Sequence, residues 1–176
     1  MVAEQIKSME ANLARLSRLM PKLPKNELLI VRLVSFLAHD VGLMLEQLIR
    51  PFGLSEGEFR VLAALYSQPH STAHPGDLCA RVRQSPANMS RITDALVERH
   101  LITRVPCAQD RRRLVLRITE KGAALVHRVL PAIFEPLREL FADHSAKDQE
   151  RLITLLRELV IRLNAVTGSN GAESAP

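Results

Sequence analysis

Apolar residues recur every three or four positions along nearly the whole chain, and in one short stretch they recur every second one. Ile6, Met9, Leu13, Leu16 and Met20 form one stripe of an amphipathic helix. From Asn26 to Arg50 the chain is apolar on most sides, the pattern of a helix touched from several directions. Past Leu101 the period falls to two. Leu114, Leu116 and Ile118 alternate with Val115 and Arg117, as in a half-buried strand. Ile102–Val105 is the strand it pairs with, which leaves Pro106–Arg113 as a hairpin loop. The chain therefore reads as mainly α with a small β-hairpin.

Boundary residues divide the helices. Pro21 and Pro24 end the first, and Pro51 and Gly53 stop the second. Ser55 and Glu58 fit a capping box ahead of a helix that runs to about Ser67 and buries Phe59, Leu62, Leu65 and Tyr66. The polar run Gln68–His74 reads as a loop. Pro75 opens a short helix with Leu78 and Val82 inside, and a tight break follows at Arg83 and Gln84. Ser85 caps the next helix, which runs to about Arg99 with Met89, Ile92 and Leu96 buried. Asn88, Arg91 and Asp94 then face outward. Thr119 begins a long helix to about Asp143, kinked or interrupted at Pro131 and Pro136. Ser145 caps a last helix whose stripe is Leu152, Leu156, Leu159, Leu163 and Val166. Two short helices across a tight turn, followed by a hairpin, describe a winged helix-turn-helix.

The charge sits on that unit. Ten of the 24 lysines and arginines fall between Gly76 and Lys121 against five carboxylates, and the rest of the chain is balanced. Nearly all the excess is arginine, whose planar fork suits phosphate. No Phe, Tyr or Trp lies between Tyr66 and Phe134, so the stacking rings of a single-strand binder are missing. Duplex DNA is the matching partner. The second short helix would enter the major groove, with Ser85, Asn88, Ser90 and Arg91 able to hydrogen-bond DNA and Ala87 able to touch a thymine methyl. Arginines at the hairpin tip (Arg111, Arg112 and Arg113) suit a narrow minor groove.

Other classes fit less well. No stretch free of Asp, Glu, Lys and Arg reaches the ~20 residues of a membrane span, and Glu4 and Glu10 interrupt any apolar leader. The reading is a soluble, cytoplasmic protein with no membrane partner. There is no Ser-His-Asp order, paired-carboxylate spacing or phosphate-cradling glycine loop, so neither an enzyme nor a cofactor is expected. His70, His74 and Cys79 are too few for a zinc site, and no metal is expected. Cys107 lies beside Arg104 and Arg111, whose charge could lower a thiol pKa, so a redox-sensing regulator is an alternative. A winged-helix module for protein assembly is another. The flanking leucine stripes exceed what one small winged unit can cover. Burial between two chains explains the surplus, and a homodimer matches a pseudo-palindromic operator.

The segment Asp110-Arg111-Arg112-Arg113-Leu114-Val115-Leu116-Arg117-Ile118-Thr119-Glu120-Lys121-Gly122 resembles the wing signature of MarR-type regulators: Asp-x-Arg, an alternating strand, then Thr-x-x-Gly. Ser90–Arg99 is similar to that family's recognition helix, and the resemblance runs from about Glu27 to Leu163. It implies that Asp110 holds Arg112 and that Arg112 enters the minor groove. Within the family the chain is most similar to the EmrR (MprA) group, which represses multidrug-efflux operons. The resemblance also implies a small aromatic or phenolic ligand between the dimer helices and the winged unit. Phe36, His39 and Phe59 would supply apolar rings and one polar tip there. Arg83 and His100 stand where the family often has glycine, and both need a left-handed or distorted backbone. The expected organisation is a helical extension at 1–24, dimerisation helices at 25–53 and 119–167, the DNA-binding unit at 54–118, and a disordered tail at 168–176.

Overall fold

Prolines and one left-handed glycine divide the amino-terminal part of the chain into helices. The computed structural model describes residues 1–106 and 114–172, the last five of these by backbone alone. Helix α1 (Val2–Leu19) stops just before Pro21, and α2 (Lys25–Ile49) runs into a 3-10 turn at Arg50–Phe52. Gly53 closes that turn at φ 69°, a region that glycine enters without a Cβ clash. The Ser55–Glu58 capping box is formed in both directions, and α3 (Glu56–Tyr66) follows it. Next come α4 (Pro75–Val82) and α5 (Pro86–Glu98), at the positions the sequence gives to the two short helices.

The hairpin pairs Ile102–Pro106 with Leu114–Ile118, Arg104 opposite Leu116. A third strand was not visible in the sequence. Thr72–Ala73, inside the presumed loop, pairs antiparallel with the carboxyl-terminal strand of the hairpin. In chain order the strands are β1 (Thr72–Ala73), β2 (Ile102–Pro106) and β3 (Leu114–Ile118), and the sheet order is β1-β3-β2. Two residues carry no readable period, so only the partner strand defines β1.

Helix α6 (Glu120–Leu140) is assigned as one helix through Pro131 and Pro136 and ends three residues short of Asp143. Helix α7 (Ala146–Ala172) runs past Gly168 into the segment the sequence reads as tail. The chain forms two compact units, Met1–Leu130 and the remainder from Pro131. The first unit holds α1 to α5, the sheet and the start of α6.

The core of the first unit is built from Leu62, Leu65, Leu78, Leu96, Leu101 and Leu116, all at most 2% exposed, with Val126 and Val129 of α6. Tyr66 and His127 join α3 to α6, hydroxyl to Nε2 at 2.7 Å with the rings edge to face. Helix α2 departs from expectation. Of its many apolar residues only Ile49 is buried, and Val31 and Leu37 are 62% and 52% exposed. Lys25–Phe52 is long and apolar enough to cross a membrane by length and composition alone, and none of its apolar 18-residue stretch is buried within this chain. In the second unit, Leu159, Ile161, Leu163 and Val166 of α7 are likewise exposed.

Candidate nucleic-acid interface

Helix α5 is presented by its two ends. At its start, Gln84 N–H donates to Cys79 O at 3.0 Å, closing the turn after α4 with Arg83 left-handed at φ 51°. The Ser85 hydroxyl oxygen accepts from Asn88 N–H at 3.3 Å, and Pro86 occupies the first position. At its end, His100 is left-handed at φ 58°, and Leu101 N–H reaches back to Leu96 O at 2.9 Å. That is the long bond of a Schellman cap, with histidine where glycine is usual. Both departures noted in the sequence thus adopt the backbone they were expected to need. Lys121 Nζ donates to Arg99 O at 2.9 Å, placing a cation at the negative end of α5.

Its inner face carries Met89, Ile92, Thr93 and Leu96, all buried. Thr93, the one buried polar residue among the described residues, donates its hydroxyl to Ser90 O at 3.0 Å. Ala87, Ser90, Arg91 and Asp94 are exposed, and Asn88 is half-buried. Ser85, Ala87, Asn88, Ser90 and Arg91 therefore lie together at the amino-terminal half of one helix. Asn88 is fixed from both sides, donating to Gln84 Oε1 and accepting from Arg91 Nη2 at 2.9 Å. Gln84 was not singled out from the sequence, although its i,i+4 spacing to Asn88 is the signal that would find it.

The wing is anchored to this helix. Arg104 of β2 forms an ion pair with Asp94 of α5. Both side chains are exposed, so the pair sets direction more than stability. At the other end of the hairpin, the Thr119 hydroxyl donates toward His100 O and Leu101 O and accepts from Gly122 N–H at 3.0 Å. A Cβ on Gly122 would sit 2.1 Å from Leu101 O. The Thr-x-x-Gly of the sequence motif is thus a joint that seats α6 against the end of α5. Cys107, Asp110, Arg111, Arg112 and Arg113, to which the sequence assigns wing or redox roles, lie outside the described residues.

The remaining sequence candidates disperse. Phe59 is buried in the core, Phe36 is half-buried on α2, and His39 is exposed. None of the three lines either cavity beside the winged unit. Cys79 is a half-buried free thiol. Among the described residues no group of three or more His, Cys, Asp or Glu is placed to hold a metal ion.

A model of the MarR family matches residues 52–113. The transcriptional repressor MprA of Escherichia coli is 30% identical over 141 residues, 80% of each chain. Among solved structures, AbsC, a MarR family transcriptional regulator from Streptomyces coelicolor, has a TM-score of 0.73 at 24% identity, covering 81% of this chain and 97% of that one. A mutant MarR from Escherichia coli complexed with operator DNA has a TM-score of 0.67 at 20% identity, with 81% and 96% covered. BpsR of Bordetella bronchiseptica, described by its regulation of DNA binding by 6-hydroxynicotinic acid, has a TM-score of 0.66 at 21% identity, with 74% and 92% covered.

Proposed function

This chain belongs to the MarR family of transcriptional regulators and is a DNA-binding repressor of that kind, and on that premise we propose that it acts in the cytoplasm as a homodimer released from a pseudo-palindromic operator by a small aromatic or phenolic ligand. The observation that carries the proposal is the division of α5 into a buried, mainly apolar face and an exposed one that carries Ser90, Arg91 and Asp94 beside Ala87. Ser85, Ala87, Asn88, Ser90 and Arg91 take the major groove. Arg112, steadied by Asp110, takes the minor groove, and Arg111 and Arg113 hold the flanking backbone. The operator complex of a MarR protein with the same fold supports this docking.

The dimer reading rests on α2 and α7, which leave leucines and valines open along both helices. Such stripes cost solubility unless a second chain covers them. The ligand reading rests on the aromatic acid named for BpsR, and the family resemblance assigns Phe36, His39 and Phe59 to it, although the three do not gather around one cavity within the single chain. An efflux or aromatic-compound operon is the fitting target, given the likeness to MprA.

Footprinting on the DNA upstream of its own gene, followed by gel-shift titration across salt, tests this function. Binding is expected to weaken steeply with salt as counterion release is suppressed. Arg91→Ala and Arg112→Ala are each expected to lower operator affinity at least about tenfold, the worth of one good base or groove contact. Salt-independent binding, or full affinity in both variants, would overturn it.

A further inference from the structure

Alternation along β3 sends neighbouring side chains to opposite faces of the wing sheet. Leu116, 2% exposed, points to the side where Met89, Ser90 and Thr93 of α5 and Arg104 line one cavity. Val115 and Arg117 line another, of about 350 Å³, together with Arg81 of α4, His70 and His74. Asp77 is the one carboxylate on its wall. Among the described residues neither Arg81 nor Arg117 forms an ion pair, not even with Asp77 on the same wall. The loop that brings the histidines there is held in an uncommon shape, with His70 and Ser71 at φ 57° and 53°. Both angles lie in the region that residues other than glycine seldom adopt.

We propose that this cavity, on the wing face turned away from the recognition helix, binds a small molecule through its carboxylate or phosphate group, with Arg81 and Arg117 as the clamp. Two guanidinium groups without partners on one concave wall are the donors such an oxyanion needs, and forked donation makes the contact directional. The volume lies at the lower end of small-molecule sites. Val115, Ala73 and Pro106 give the carbon body an apolar surface. An occupant would touch α4 and the stem of the wing at once, and so bias the wing's direction. The site shares no residue with the Phe36, His39 and Phe59 crevice and does not depend on it. A phosphate of the operator is the other source of the same chemistry, and its place on the far face from α5 makes it the less favoured one.

The test is titration calorimetry of the full chain with benzoate and with inorganic phosphate, repeated on the double variants Arg81→Ala with Arg117→Ala and Arg81→Lys with Arg117→Lys. Saturable binding of at least one probe below about 10 mM is expected, weakened tenfold or more in the alanine pair and by less in the lysine pair, which keeps the charge but loses the fork. Both arginines are exposed, so folding is expected to survive, and circular dichroism checks it. Absence of binding by either probe, or equal binding by the alanine pair, overturns the proposal. So does a salt slope for operator binding that falls by about one per arginine while neither probe binds, since the arginines would then hold DNA phosphate.

Discussion

His100 sits at φ 58° with an ordinary side chain, and the left-handed region costs a Cβ roughly 1–2 kcal/mol. Glycine would remove that cost and add back part of it as chain entropy. His100→Gly is therefore expected to raise stability by about 1 kcal/mol, read from the urea midpoint at fixed protein concentration. An unchanged or lower midpoint would show that the imidazole makes up the difference. Gly122 is the opposite case. Its missing Cβ leaves room for Leu101 O, a backbone atom that cannot swing aside. Gly122→Ala is expected to cost about 3 kcal/mol or more, at the upper end of overpacking penalties. A variant with native stability would refute the close seating of α6 on the end of α5. The strain at Arg83 and His100 was legible through the family resemblance, which often puts glycine at both positions. That at His70 and Ser71 was not, because a loop's shape is set by what it packs against.

Among the elements, α7 begins with a reciprocal cap that the sequence shows only in part. Ser145 was readable as the cap. Asp148 completes it by accepting from the serine amide at 3.2 Å while its own amide donates to the serine oxygen at 3.2 Å. The hydroxyl and amide of Ser145 hold the Asp148 carboxyl below its ordinary 3.8. These bonds favour the ionised form, so the cap's contribution is complete above 3.8 and is lost as pH falls through the lowered value. A carbon-detected titration is expected to place Asp148 below 3.8, and Ser145→Ala to move it upward. Helix α5 gives an element-scale prediction for recognition. Asn88 holds Arg91, so Asn88→Ala should relax base preference at one operator position while the salt slope changes by less than about one phosphate. Selection from a random DNA library reads both, and an unaltered motif would remove the positioning role.

At the scale of the molecule, α2 and α7 are not satisfied by their own chain. Leu159 and Leu163 are 51% and 58% exposed. Replacing both with Glu should leave the monomer's fold intact, since neither is buried within it, and should abolish dimer formation in sedimentation. Operator affinity would fall with it, because each subunit then engages only a half-site. Persistent dimers in that variant would move the interface off α7. For the ligand crevice, Phe36→Ala and His39→Ala should blunt release of DNA by an aromatic acid more than they weaken DNA binding, measured by the same gel shift with and without the acid.

Period and punctuation alone did not settle where α6 and α7 end, but they determined where α1 to α5 lie, which face of α5 is apolar, and that one hairpin follows it. These are local properties, fixed by the 3.6- and 2-residue repeats and by caps that act within four residues. The family motif was legible as well, although not its physical content: that Gly122 is there for a carbonyl and Thr119 for two. Only the tertiary structure decided the third strand, the Gln84–Asn88–Arg91 chain, the Asp94–Arg104 tie and the division of arginines between the two faces of the wing. Apart from the Gln84–Asn88–Arg91 chain, whose i,i+3 and i,i+4 spacings are local, each of these joins residues, or sets the surroundings of a side chain, through the packing of separate elements. A partner brought from elsewhere in the fold leaves no mark on the local pattern of either residue.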